Sequence, residues 1–115
     1  MEKRKVFVVN KSSHNFSPAL KFGELIYLSE GPMNRYSTNN MVREFKEIME
    51  NSSEDDYIVP CSLNVMNSIA CAIFAHLHGR LNLLLFKDGS YIERNHILWD
   101  NLLNEKEKKW SQKEL

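Results

Sequence analysis

The sequence predicts an α/β fold, a three-layer Rossmann-like domain whose mostly parallel sheet ends in an antiparallel C-terminal hairpin. Three observations lead there. Short β-branched and aromatic runs alternate with helical stretches, the order that builds a parallel sheet with crossover helices. Val6-Phe7-Val8-Val9 is apolar without interruption, as in a strand covered on both faces. Asp88-Gly89 separates two extended runs, which is the chemistry of a two-residue hairpin turn.

Each element has its own reason. The first strand stops at Asn10, and Lys11-Ser12-Ser13-His14-Asn15 is polar loop. Ser17-Pro18 reads as an N-cap with proline at the first helical position, opening a short helix that Gly23 ends. Residues 24–29 make a second strand, and Gly31-Pro32 breaks the chain. Met41, Val42, Phe45, Ile48 and Met49 then form one apolar stripe of a 3.6-residue period, opposite Arg43, Glu44, Lys46, Glu47 and Glu50. Ser37 or Thr38 is the expected cap. Tyr57 to Cys61 is a third, short strand, closed near Pro60, which lacks a ladder donor.

Ser62 is expected to cap the longest helix, residues 63–78, with Gly79 at its C′ position. That helix is apolar on most of its circumference, and a small domain cannot surround it alone. A homodimer through helix 63–78 is therefore expected. Leu81 to Phe86 and Tyr91 to about Asn95 are the hairpin strands, and Ile97-Leu98-Trp99 with Leu102-Leu103 is expected to start a last helix. Residues 104–115 read as a charged, fraying tail.

The whole chain has 115 residues, with 15 Lys+Arg balanced by 15 Asp+Glu. Such a length fits one domain, 1–115, without a separate cofactor domain. Zero net charge argues against a dedicated nucleic-acid binder. No apolar run reaches the roughly 18–20 residues of a membrane span, and the amino end lacks a small-residue cleavage site. Cys61 and Cys71 lie in apolar segments, as reduced thiols of a cytoplasmic protein would.

Open α/β sheets bind ligands beyond the carboxyl ends of their strands, where strand order reverses. If the first and third strands are neighbours, two loops meet there. One holds Asn10, Lys11, Ser12, Ser13 and His14; the other holds Cys61, Ser62 and Asn64 at the start of the long helix. A cation, hydroxyls, amides and a helix N-terminus suit an anionic, phosphorylated ligand. Polar residues after a strand are usually plain solvated connections, and neither G-x-G-x-x-G nor the Walker pattern is present to mark these loops as a phosphate site. His76 and His78 stand about 200° apart on a helix and cannot share a metal. Cys61 and Cys71 make no C-x-x-C. No metal and no cofactor are expected. His14 is the one histidine in the candidate site, and as a general base it needs an orienting carboxylate, for which Glu30 is the nearest prospect.

At Val8-Val9-Asn10-Lys11-Ser12-Ser13-His14, Phe16-Ser17, Phe22-Gly23-Glu24, Asp55-Asp56-Tyr57-Ile58 and residues 79–86, the chain resembles a group of short α/β proteins of phage and mobile-element genomes. The resemblance spans most of residues 5–97 and brings no assigned activity. It implies a small accessory protein expressed in a bacterial host.

Three readings of function follow. The first is a binding module that holds an anionic, nucleotide-like ligand without turnover, through Asn10, Lys11, Ser12, Ser13, His14, Ser62 and Asn64. The second is a protein-interaction module acting through exposed apolar residues such as Met33, Tyr36, Trp99 and Trp110. The third is a small hydrolase or transferase in which His14 moves a proton.

Overall fold

Alternation along the first strand decides the architecture. In the computed structural model, which describes residues 3–61 and 63–99, β1 (Lys5–Val8) lies inside a five-stranded sheet. Phe7 and the following Val9 project to one face and Val6 and Val8 to the other, and all four are fully buried. A strand dry on both sides needs a neighbour on each edge and cover on each face. Both are present. The order is β2-β1-β3-β4-β5, with β2 at Glu24–Tyr27, β3 at Tyr57–Val59, β4 at Arg80–Lys87 and β5 at Ser90–Ile97. The first four strands are parallel, in the register Val6↔Tyr57 and Ile58↔Leu83, and β5 returns antiparallel to β4.

Crossover handedness distributes the helices. From β2 the chain steps over β1 to β3 and onward to β4 in one direction, so both connecting helices fall on the same face. These are α1 (Thr38–Met49) and α2 (Asn64–His78). Met41, Phe45 and Met49 of α1, and Met66, Ala70 and Phe74 of α2, recur every four residues and bury against Phe7, Val9 and Ile58. Each large side chain so buried contributes about 1.5–3 kcal/mol of apolar burial. The step from β1 to β2 runs the other way and covers the opposite face. Its cover is thin: a 3-10 helix, Ser17–Phe22, which with Phe16 packs Ala19 over Val6, Val8, Tyr57, Val59, Leu84 and Tyr91. Among the described residues the third layer is therefore six residues of 3-10 helix and its flanks.

The hairpin turn forms as expected, with Asp88 and Gly89 at φ 52° and 79°, the left-handed pair that two-residue turns require. Several boundaries differ from expectation. Ser17 is the first residue of the 3-10 helix and no cap; the Asn15 side chain accepts its backbone N–H at 3.0 Å instead. The residue at the N-cap of α2 is Leu63, whose carbonyl accepts from Met66 and Asn67. Ser62 lies outside the described residues. Ile97-Leu98-Trp99 do not begin a helix. The β4–β5 ladder runs to Arg80↔Ile97, and the Gly79 carbonyl then accepts both the Leu98 and Trp99 N–H groups, at 2.9 and 2.7 Å, so these donors are committed to the hairpin's end. The rest of that expected helix and the charged tail fall outside the described residues.

The helix α2 buries one stripe rather than its whole circumference. Ile69, Ala72, Ile73 and Leu77, with Val42 of α1, line an open groove of about 670 Å³ between the two helices. Among the described residues no helix is long and apolar enough to cross a membrane.

Candidate functional site

The carboxyl edge of the sheet is built on one junction. Because β1 and β3 are neighbours, the chain leaving each meets the other just beyond the last ladder bond. The Asn10 N–H donates to the Cys61 sulfur at 3.3 Å, and the thiol lies 3.4 Å from the Asn10 carbonyl. Asn67, one turn into α2, accepts the Cys61 N–H at 2.9 Å and so fixes where the helix starts.

Asn10 is 6% exposed, and its side chain is engaged with the protein. Its amide donates to the Gly31 carbonyl at 3.0 Å, and its oxygen takes the Ser29 hydroxyl at 2.8 Å. It binds the loop after β1 to the loop after β2. Lys11 prolongs that pairing: its N–H donates to Ser29, its carbonyl accepts from Gly31, and its ammonium stands 3.8 Å from the Glu30 carboxylate. That pair is well exposed on both sides, 51% and 75%, so water screens it and it holds Lys11 only loosely. The same ammonium lies 5.4 Å from the centre of the Tyr27 ring. The Ser12 hydroxyl accepts the His14 N–H at 3.3 Å, and Ser13 is exposed.

His14 turns to the 3-10 side of the sheet. Its ring meets Phe16 and Phe86 edge-on, with centroids 4.9 and 4.7 Å away, and its Nε2 is 3.3 Å from the Tyr91 hydroxyl. Burial pushes the Tyr91 phenol above its usual range, with the neighbouring Cys61 and Tyr27 groups adding to the shift. Tyr91 is thus a neutral hydroxyl for His14, and the group on His14's ring nitrogen is this phenol rather than Glu30. Asn64, by contrast, opens α2 on the helical side, exposed, with its carbonyl taken by the Ser68 hydroxyl. The sheet's edge therefore separates His14 from Asn64, with Lys11, Ser12 and Ser13 on the rim between them.

At the amino end of α2 a cavity of about 360 Å³ is lined by Arg35, Tyr36, Leu63, Asn64 and Val65. Arg35 is a cation that sequence reasoning did not select. It sits in the connection after β2, where the pattern shows only a Gly-Pro break, and only the tertiary fold brings it to α2.

The other prospects divide as their surroundings dictate. His78 bonds the Ser52 hydroxyl at 2.7 Å and lies 4.6 Å from the Phe74 ring centre, a structural histidine. Cys61 and Cys71 are reduced thiols, and burial pushes the Cys71 thiol up. No group of His, Cys, Asp or Glu among the described residues is arranged to hold a metal ion. Met33 packs against the core, while Tyr36 and Trp99 are exposed; Trp110 lies outside the described residues.

These features define a small open-sheet α/β protein of strand order 2-1-3-4-5, the order in which the β1/β3 boundary is the topological switch point. Its family follows from comparison with known proteins: a profile of the phage Pam3 gp32-like proteins matches residues 4–96, and the chain belongs to that family. No curated protein and no solved structure matches it.

Proposed function

We propose that this phage accessory protein is a binding module for a small anionic, phosphorylated or nucleotide-like ligand, held at the carboxyl edge of the sheet without turnover. The observation that carries the reading is the cavity where α2 begins, with Arg35 beside the amino end of a 15-residue helix. The first N–H groups of a helix have no intrahelical acceptor, and they and the dipole favour an oxyanion. Arg35 adds the charge, and Lys11, whose ion pair with Glu30 is exposed on both sides, can exchange that carboxylate for a phosphate at little cost. Ser12 and Ser13 supply hydroxyls and Asn64 an amide, while Asn10 braces the loop that carries the two serines. The absence of turnover rests on His14: its partner is a neutral phenol, which orients an imidazole without stabilising its cation as a carboxylate would. On this reading the protein works in the cytoplasm of a phage-bearing bacterium, where its two thiols stay reduced.

Native mass spectrometry of the purified protein tests this directly. The expected result is an adduct that releases a phosphorylated small molecule intact on denaturation. Arg35→Ala and Lys11→Ala should each weaken its binding by about 1–3 kcal/mol, the range of a lost charge-assisted hydrogen bond. An adduct retained undiminished in both variants would remove this edge from the site, and a cleaved product would return His14 to catalysis.

A second reading is favoured by the groove between α1 and α2. Its apolar floor is rimmed along α1 by Arg43 and Lys46 and then by Glu47 and Glu50. Cation followed by carboxylate along one helix is self-complementary about a two-fold axis, so the occupant we propose is a second copy of this chain. Leu77, 45% exposed, reaches this groove, and Leu77→Glu should give a folded monomer where the parent sediments as a dimer. A parent that sediments as a monomer sinks the homodimer.

A further inference from the structure

At the opposite end of the sheet, the 3-10 cover stops short, and no other described residues lie over a polar stretch of the face. The register explains its composition. Alternation with Val6 and Val8 puts Arg4 on this face, and the pairs Val6↔Tyr57 and Ile58↔Leu83 align Arg4, through the β3 side, with Arg80 on β4. Two strand spacings of about 4.8 Å separate their backbones by roughly 10 Å, within the joint reach of two guanidinium groups. Glu93 and Asn95 come to the same face from β5, opposite Leu84 and Asn82. Together with Tyr57 and His96 they enclose a cavity of about 260 Å³.

The hydrogen bonds in this cavity are directional. The Arg4 guanidinium donates to the Tyr57 hydroxyl at 3.0 Å, and Tyr57 donates in turn to Glu93 Oε2 at 2.8 Å. Asn95 donates to the same oxygen at 2.7 Å. The bonds from Asn95 and Tyr57 hold the Glu93 carboxyl below the usual carboxylate range, so it is an ionised acceptor of fixed orientation. Arg80 is different. It is half-buried, and among the described residues its guanidinium makes no hydrogen bond or ion pair. A partly desolvated guanidinium has five donors and every reason to take an oxyanion.

We propose that this face is a second binding site, for a small ligand that carries an oxyanion beside hydroxyl or N–H donors, as a sugar phosphate does. Arg80 takes the oxyanion in a forked contact, with Arg4 behind it. Glu93 takes the ligand's donors and, with Asp55 on the rim, repels a ligand that is anionic throughout. Selectivity therefore comes from the pair: charge from the arginines, and a hydroxyl requirement from the carboxylate. This site is independent of the one at the carboxyl edge and shares no residue with it.

The test is an NMR titration of the whole chain that follows the Arg80 Nε–H and the Asn95 side-chain amide. The probes are inorganic phosphate, ribose 5-phosphate and ribose. Saturable shifts at both groups are expected with ribose 5-phosphate, weaker ones with phosphate, and none with ribose at the same concentrations. Arg80→Gln should lower the affinity for ribose 5-phosphate at least about tenfold. Glu93→Gln should lower it too while leaving inorganic phosphate bound at least as well. If the Gln variant at 80 loses its folded spectrum, Arg80→Lys serves, and it should weaken binding by losing the forked contact alone. Shifts that rise linearly without saturation, or an undiminished affinity in the Arg80 variant, would overturn the proposal. Shifts confined to Arg35 and Asn64 would overturn it as well, while leaving the carboxyl-edge reading standing.

Discussion

Asp56 shows how much one side chain can hold. It is 2% exposed, and its two oxygens accept the backbone N–H groups of Lys5 and Ser53, at 2.9 and 2.6 Å. It thereby joins the start of β1 to the turn before β3. Asp56→Ala strands both donors in a dry place, and the expected loss is about 2–4 kcal/mol by urea denaturation, with Asp56→Asn between it and the parent. Nearby, His78 couples the same region to pH. Burial lowers its imidazole below the ordinary 6.5, while the charges of Asp56 and Glu54 oppose that shift. The folded state therefore binds this proton less readily than the unfolded chain does. The stability that follows is fully present above about pH 6.5 and is lost as pH falls below it toward the folded value. The urea midpoint of the parent should drop between pH 7.5 and 5.5 by more than that of His78→Gln; equal drops would assign the pH dependence elsewhere.

At the scale of elements, the connection into β2 is the least forgiving. Gly23 ends the 3-10 helix where the chain passes the backbone of Arg4, whose carbonyl accepts the Glu24 N–H at 2.9 Å. A Cβ on Gly23 would press into that carbonyl oxygen, a backbone atom that cannot swing aside. Gly23→Ala should cost roughly 1–3 kcal/mol, and a stability within a few tenths of the parent would show that the β1–β2 edge shifts freely. The helix α1 and the hairpin turn mark where sequence reading succeeds. Met41, Phe45 and Met49 announce α1 because burial repeats at the helical period, and Asp88-Gly89 announces the hairpin because few residues accept that backbone. These signals are local. The cap of α2 and the end of β5 were misjudged because capping and ladder bonds there depend on Gly79 and Leu63 in their folded places. The polar cavity was out of reach for the same reason. Arg4 stands in the basic run Lys3-Arg4-Lys5, and only strand register puts it in line with Arg80; nothing between residues 4 and 95 signals that pairing in advance. At the carboxyl edge the meeting of the loops at Asn10 and Cys61 was legible only on the condition that the first and third strands are neighbours, which the fold supplies, and the separation of His14 from Asn64 by the sheet was not legible at all.

For the molecule as a whole, stability should concentrate at the middle of the sheet. β1 and β3 are paired on both edges and covered on both faces, while among the described residues β5 is paired on one edge only and is exposed from Glu93 onward. Amide hydrogen exchange should accordingly be slowest at Phe7, Val8 and Ile58, whose opening needs the global transition, and fastest within strands at residues 93–97. Protection of β5 equal to that of β1 would mean that the hairpin and the parallel sheet open only together. Among the described residues, two helices on one side and one 3-10 segment on the other leave the two faces of the sheet unequal: one is a sealed core, and the other is part core and part open polar floor.

That inequality bears on how such a chain can diversify. The six-residue 3-10 helix lies in the crossover between β1 and β2, and its neighbours in the sheet are fixed by strand pairing rather than by its length. A lineage that grew this crossover into a full helix would keep every register intact and would gain a second sealed core, at the expense of the floor beneath it. One that kept it short would retain a surface whose residues drift without disturbing the frame. The brevity of one connector thus makes this side of the sheet the part of the molecule where new specificities can be tried at the smallest structural risk.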